Sequence, residues 1–210
     1  NSYMALRLVY DGLLDYDQEG QMVPILATAM PTVSEDGRTF TFQLREGVYF
    51  HDSPIFDGPR ELVAEDVRWS IERLLHPDTG SPGVSFFARL RGFEAYREGR
   101  AQHVEGIAVR GRYEIAFTLD QPDQTFLNAM AMVFAYPVAR ENYEHYAALG
   151  DPGEVERNPV GTGPFAFEEW ERGVQMTFTR NRRYWQPNRP NPDRMVMIEQ
   201  LSGETAVGRF

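Results

Sequence analysis

The chain has 210 residues, with 21 basic residues (all Arg) against 31 Asp and Glu, a formal charge of −10, and 42% hydrophobic residues. This composition suits one large or two small globular domains and is too apolar for a disordered chain, while the negative charge argues against sequence-independent binding to a phosphate backbone. With neither Lys nor Cys, a P-loop lysine, a Schiff-base lysine, a thiolate nucleophile, a disulfide and a Cys-based metal site are all excluded.

In chain order, the first clear element is the alternation of Phe40, Phe42 and Leu44 with Thr41, Gln43 and Arg45, the period of a half-buried strand. Glu46-Gly47 is expected to turn this strand into a second extended run, Val48 to His51, giving a hairpin. Val63, Val67, Ile71 and Leu74 or Leu75 then predict a helix, with Glu65 and Asp66 in its first turn and His76-Pro77 ending it. Further helices are expected over Phe86 to Gly99, Thr125 to Met132 and Val138 to Leu149. Tyr113, Ile115, Phe117 and Leu119 predict a strand after Gly111-Arg112, and Val174, Met176 and Phe178 predict another after Arg172-Gly173. Loops are read at Asp52 to Pro59, Pro77 to Gly83, Asp151 to Pro164 and Gln186 to Asp193. The order favours a mixed α/β to α+β fold over a strict βαβ repeat. No composition break marks a domain boundary. The longest apolar stretch, Ala129 to Ala139, is interrupted by Pro137, so no membrane-spanning helix is expected.

Few motifs point to chemistry. His51, His76, His103 and His145 stand too far apart for a helical metal pair, and no metal site is expected from them. Gly161-Thr162-Gly163-Pro164 lacks the Lys-Ser/Thr of a phosphate loop and the third Gly of a dinucleotide loop, so a tight turn feeding a strand at Phe165-Ala166-Phe167 is the better reading. No serine carries a nucleophile signature, and pairs such as Asp15/Asp17 and Glu168/Glu169 fit solvated faces. The aromatics are the more suggestive group: Phe86-Phe87, Phe134, Tyr136, Trp170 and Tyr184-Trp185 exceed the needs of one small core. The start at Asn1 without an apolar leader, and a helix expected to begin just before Phe210, suggest a fragment.

Three segments carry a resemblance. Val9-Tyr10-Asp11-Gly12-Leu13, Pro24-Ile25-Leu26-Ala27 and the run from Ser34-Glu35-Asp36-Gly37 through Gly47-Val48-Tyr49-Phe50-His51-Asp52 resemble the signature of family 5 solute-binding proteins, the peptide-, dipeptide- and nickel-type binding proteins of ABC importers. Ala64-Glu65-Asp66-Val67, Gly161-Thr162-Gly163-Pro164-Phe165 and Asn181 followed by Tyr184-Trp185 match later landmarks in the same order. Two departures stand out. The loop after His51-Asp52 is longer, with Ser53 and Pro54 to Glu61, and Val63 replaces a Thr at the helix start, forgoing a capping bond of about 1 kcal/mol. After Ser81-Pro82, Gly83 stands where peptide binders can present an aromatic.

The resemblance implies a type II periplasmic-binding-protein-like first lobe, with an inserted α+β subdomain within about residues 20–160, a return to the main sheet over about 161–210, and the second lobe absent. It further implies the substrate-binding component of an ABC importer. That component would take a small, oligopeptide-like solute without catalysis, cofactor or metal, and would work outside the cytoplasm, periplasmic or cell-surface, with a membrane-embedded permease. A ligand-sensing module of a signalling or regulatory protein is the alternative. By the same resemblance, Gly83, Phe86, Phe87, Phe134 and Tyr136 should line the first-lobe wall of the cleft, the phenylalanines as a stacking surface and Tyr136 as a hydroxyl.

Overall fold

The computed structural model describes residues 2–199. Along the chain the elements are α1 (Ser2–Val9), β1 (Leu14–Tyr16), β2 (Met22–Pro24), β3 (Thr32–Val33), β4 (Thr39–Gln43) and α2 (Ala64–Leu75). There follow α3 (Phe93–Arg97), β5 (Ile107–Val109), β6 (Glu114–Thr118), α4 (Phe126–Met130), α5 (Arg140–Ala148), β7 (Phe165–Glu171), β8 (Gln175–Arg180) and β9 (Arg194–Ile198). The helix expected near the end of the chain lies outside the described residues.

The chain divides into two units, one of Asp11–Val48 and Glu61–Arg140, the other of Asn1–Tyr10, Tyr49–Arg60 and Glu141–Phe210. They are called inner and outer here for their order in sequence. In the inner unit β1 and β2 form an antiparallel pair, and a four-stranded antiparallel sheet runs in the order β3-β4-β6-β5. Phe40 faces Phe117 and Phe42 faces Ile115 across β4 and β6, so the alternating apolar residues of both strands fall on one face. The expected helix is α2, and its Val67, Ile71 and Leu75 are fully buried in one cluster with Phe42, Ile115 and Phe117. Phe126 on α4 joins this cluster, its ring centroid 5.2 Å from that of Phe40 and 5.6 Å from that of Phe117.

One expectation is corrected. Gly47, at φ 70°, does turn the chain, but Val48 to His51 does not return along β4. The partners of β4 are β3 and β6, and the segment after Gly47 pairs with the end of the long loop instead: Leu62 N–H donates to the Val48 carbonyl at 2.8 Å, and Phe50 N–H to the Arg60 carbonyl at 2.9 Å. The buried apolar face of β6 competes better for β4 than a short local return. The helix expected over Phe86 to Gly99 is likewise broken into a 3₁₀ turn at Pro82–Phe87 and α3. The 3₁₀ turn ends at Ala88, and Gly92, at φ 76°, takes the N-cap position of α3.

The outer unit packs α1 against a three-stranded antiparallel sheet, β7-β8-β9. Val9, Phe165, Met176 and Phe178 form its buried cluster, with Leu8, Phe167 and Met195 packed alongside. The tight turn expected at Gly161-Thr162-Gly163-Pro164 leads directly into β7.

Candidate aromatic site and the glycine turn

Two 3₁₀ turns, Pro82–Phe87 and Val133–Ala135, are held by α2 and α4, which pack against both. Ser81 starts the first, its hydroxyl accepting the Gly83 N–H at 3.2 Å. Gly83 is buried, and a Cβ there would stand 2.6 Å from Cγ of Phe134. Only a glycine lets the two turns close to this distance. As a result Phe86 lies parallel to Phe134, with centroids 5.9 Å apart and planes at 22°. Phe86 is 46% exposed, so the stack presents a flat apolar surface to solvent. Beside these turns Arg89 bonds Asp123 at 2.8 Å, and the Asp123 carboxyl is held below its usual range first by the Thr125 hydroxyl.

The other expected site residues lie differently. Phe87 is 1% exposed and meets Phe126 edge to face at 6.3 Å, so its ring belongs to the core. Tyr136 is 5% exposed, its ring against Gly12, where a Cβ would lie 2.7 Å from Tyr136 Cε1. The structure therefore brings Gly83, Phe86 and Phe134 together, while Phe87 packs into the core on Phe126 and Tyr136 packs on Gly12.

A second constellation belongs to the outer unit. His51 is 3% exposed; its N–H donates to the Gly161 carbonyl at 2.7 Å, and its Nδ1 receives the Gly161 N–H at 3.3 Å. Nδ1 is thus the acceptor, so the proton sits on Nε2, which donates to the Gly163 carbonyl at 2.9 Å. Asn181 Nδ2 donates to the same carbonyl at 2.9 Å, and Gly163 N–H donates to the Val9 carbonyl at 2.8 Å. Cβ atoms at Gly161 and Gly163 would stand 2.1 Å from Val9 O and 2.5 Å from Leu8 O. The turn is a backbone junction, and the glycines are there for close approach. Sequence reasoning read the turn but missed its tie to His51, 110 residues away, because nothing local signals it.

His103 bonds the Glu72 carboxylate at 3.0 Å, and His76 stands 3.6 Å from Asp78. Among the described residues no three His, Asp or Glu side chains gather as a metal site would require.

Comparison with known proteins fits this architecture. In the solved structure of the ABC transporter-associated periplasmic binding protein DppA from Helicobacter pylori, in complex with the peptide STSA, the same fold recurs with a TM-score of 0.81 at 28% identity over 98% of this chain and 40% of that one. The structure is thus part of a periplasmic-binding-protein fold, mixed helix and sheet. Residues 21–207 match the model described as bacterial extracellular solute-binding proteins, family 5 Middle, and the chain belongs to that family. Among curated relatives, Di/tripeptide-binding protein 1 of Pseudomonas aeruginosa (strain UCBPP-PA14) is 30% identical over 91% of this chain and 35% of its own length. Di/tripeptide-binding protein 4 of the same strain is 33% identical over 86% of this chain and 33% of its own length. The chain thus spans about a third of the length of these relatives.

Proposed function

We propose that this chain is part of the substrate-binding component of an ABC importer, that its ligands are short peptides, and that it binds without making or breaking bonds. Family membership supports the class, and the relatives named above are di- and tripeptide binders. The observation that carries the reading is the exposed stack of Phe86 on Phe134 over Gly83, a preformed apolar wall of the kind that takes side chains of varied shape. Gly83, Phe86 and Phe134 form the contact surface, with Phe87 packed on Phe126 and Tyr136 on Gly12. The inner unit is the subdomain inserted into the first lobe, the protein works outside the cytoplasm, and the partner that receives its solute is a membrane-embedded permease.

Isothermal titration of the protein, as its gene encodes it, against a di- and tripeptide library tests this. Saturable binding of peptides is expected. Phe86→Ala, at an exposed position, should weaken it about tenfold, equivalent to about 1.4 kcal/mol, with an unchanged circular dichroism spectrum. A protein that binds a sugar or a metal chelate and no peptide overturns the ligand class. Unchanged peptide affinity in Phe86→Ala removes the stack from the site.

A further inference from the structure

The outer unit holds a cavity of about 360 Å³ lined by Arg157, Phe167, Trp170 and Arg172, at the small end of the roughly 300–1,000 Å³ range of ligand pockets. We propose that it is a second binding site, for a small aromatic carboxylate. The two arginines differ in what they can offer. Arg157 is paired with Glu154, three residues before it. Arg172 lies with its guanidinium carbon 5.1 Å from the centroid of the Trp170 ring and makes no ion pair among the described residues. A cation–π contact holds the guanidinium against the ring without consuming all five of its N–H donors, and a guanidinium can pair with a carboxylate through two of them.

The aromatic walls are themselves fixed. Phe167 packs edge to face on the buried Phe178 at 5.9 Å, and the Trp170 indole N–H donates to Glu199 Oε1 at 3.1 Å. Glu199 is the acidic group bonded to this wall, and its other oxygen accepts the Gly173 N–H at 2.8 Å. Glu199 holds these two donors and makes no ion pair with Arg172, which keeps its N–H groups for an incoming anion. A ring against Phe167 and Trp170, with its carboxylate in the plane of the Arg172 guanidinium, satisfies the apolar and the charged parts of the cavity together.

The experiment is titration of the protein with sodium benzoate, followed by NMR through the Trp170 indole N–H resonance, assigned from Trp170→Phe. Benzamide, which keeps the ring and loses the charge, and acetate, which keeps the charge and loses the ring, are run in parallel. Saturable shifts with benzoate, at least about tenfold weaker with benzamide, with acetate and in Arg172→Gln, are the expected result. Phe86→Ala should leave them unchanged, which separates this site from the peptide wall. Absence of saturation with benzoate, equal binding of benzamide, or full affinity in Arg172→Gln each overturns the proposal.

Discussion

His51 shows what a single buried side chain does to the pH response of the whole. Its pKa is pushed down to about 4, mainly by burial, against the pull of the Gly163 carbonyl and Asp52. Unfolded, the same ring takes a proton near pH 6.5. The unfolded state therefore binds more protons between these values, so the stability His51 confers is complete above about pH 6.5 and is lost as the pH falls toward 4. Between pH 7 and pH 4.5 this amounts to about 2 kcal/mol. Urea unfolding at the two pH values should show wild type losing about that much more than His51→Gln, and equal losses in the two proteins rule the account out. Two glycines provide a second comparison. Gly161→Ala sets a Cβ against the Val9 carbonyl, backbone on backbone, and should cost at least about 3 kcal/mol. Gly83→Ala sets its Cβ against Cβ, Cγ and Cδ1 of Phe134, a side chain and not backbone, so the two turns must shift slightly apart and about 1–2 kcal/mol is expected. If the two variants melt together, the glycine turn is no more rigid than the aromatic stack.

At the scale of elements, α2 carries an improvable start. Val63 takes the N-cap position with φ −131° and ψ 168° and offers no side-chain acceptor, while Asp66 three residues on accepts the Val63 N–H at 2.8 Å. Half of a reciprocal cap is present. Val63→Thr supplies the other half, and should add about 1 kcal/mol, or about 2–4 °C in melting temperature. A variant that melts at or below wild type refutes this. The same helix shows what sequence can reveal: its period, acidic first turn and His-Pro stop are all local, and it forms where they say. β4 was equally legible as a strand, yet its partner was not, since pairing with β6 is decided across some 70 residues by which apolar face is buried. The resemblance put Gly83, Phe86, Phe87, Phe134 and Tyr136 forward alike as candidate wall residues. That Phe87 turns inward to Phe126 while its neighbour stays exposed is a matter of 3₁₀ geometry that composition does not carry.

For the whole molecule, the two units have cores of unequal strength. The inner unit buries Phe40, Phe42, Phe87, Phe117 and Phe126 between helices and a sheet, whereas the outer unit's cluster is built on Val9, Phe165, Met176 and Phe178. The outer unit should therefore open first on heating. Trp69 lies in the inner unit, and Trp170 and Trp185 lie in the outer. Fluorescence of the Trp170→Phe/Trp185→Phe variant should report a midpoint about 5 °C above that of Trp69→Phe. Coincident midpoints would mean that the units unfold as one.

The packing of α1 on β7 sets an order of events during synthesis. Val9 leaves the ribosome 156 residues ahead of Phe165, the partner it is buried with. At about 5–20 residues per second, α1 waits some 8–30 s for its sheet. A helix of eight residues is too short to persist alone in water. α1 thus completes its packing only after β7 has emerged, and through that interval its apolar side chains are open to whatever nascent-chain chaperones the cell provides.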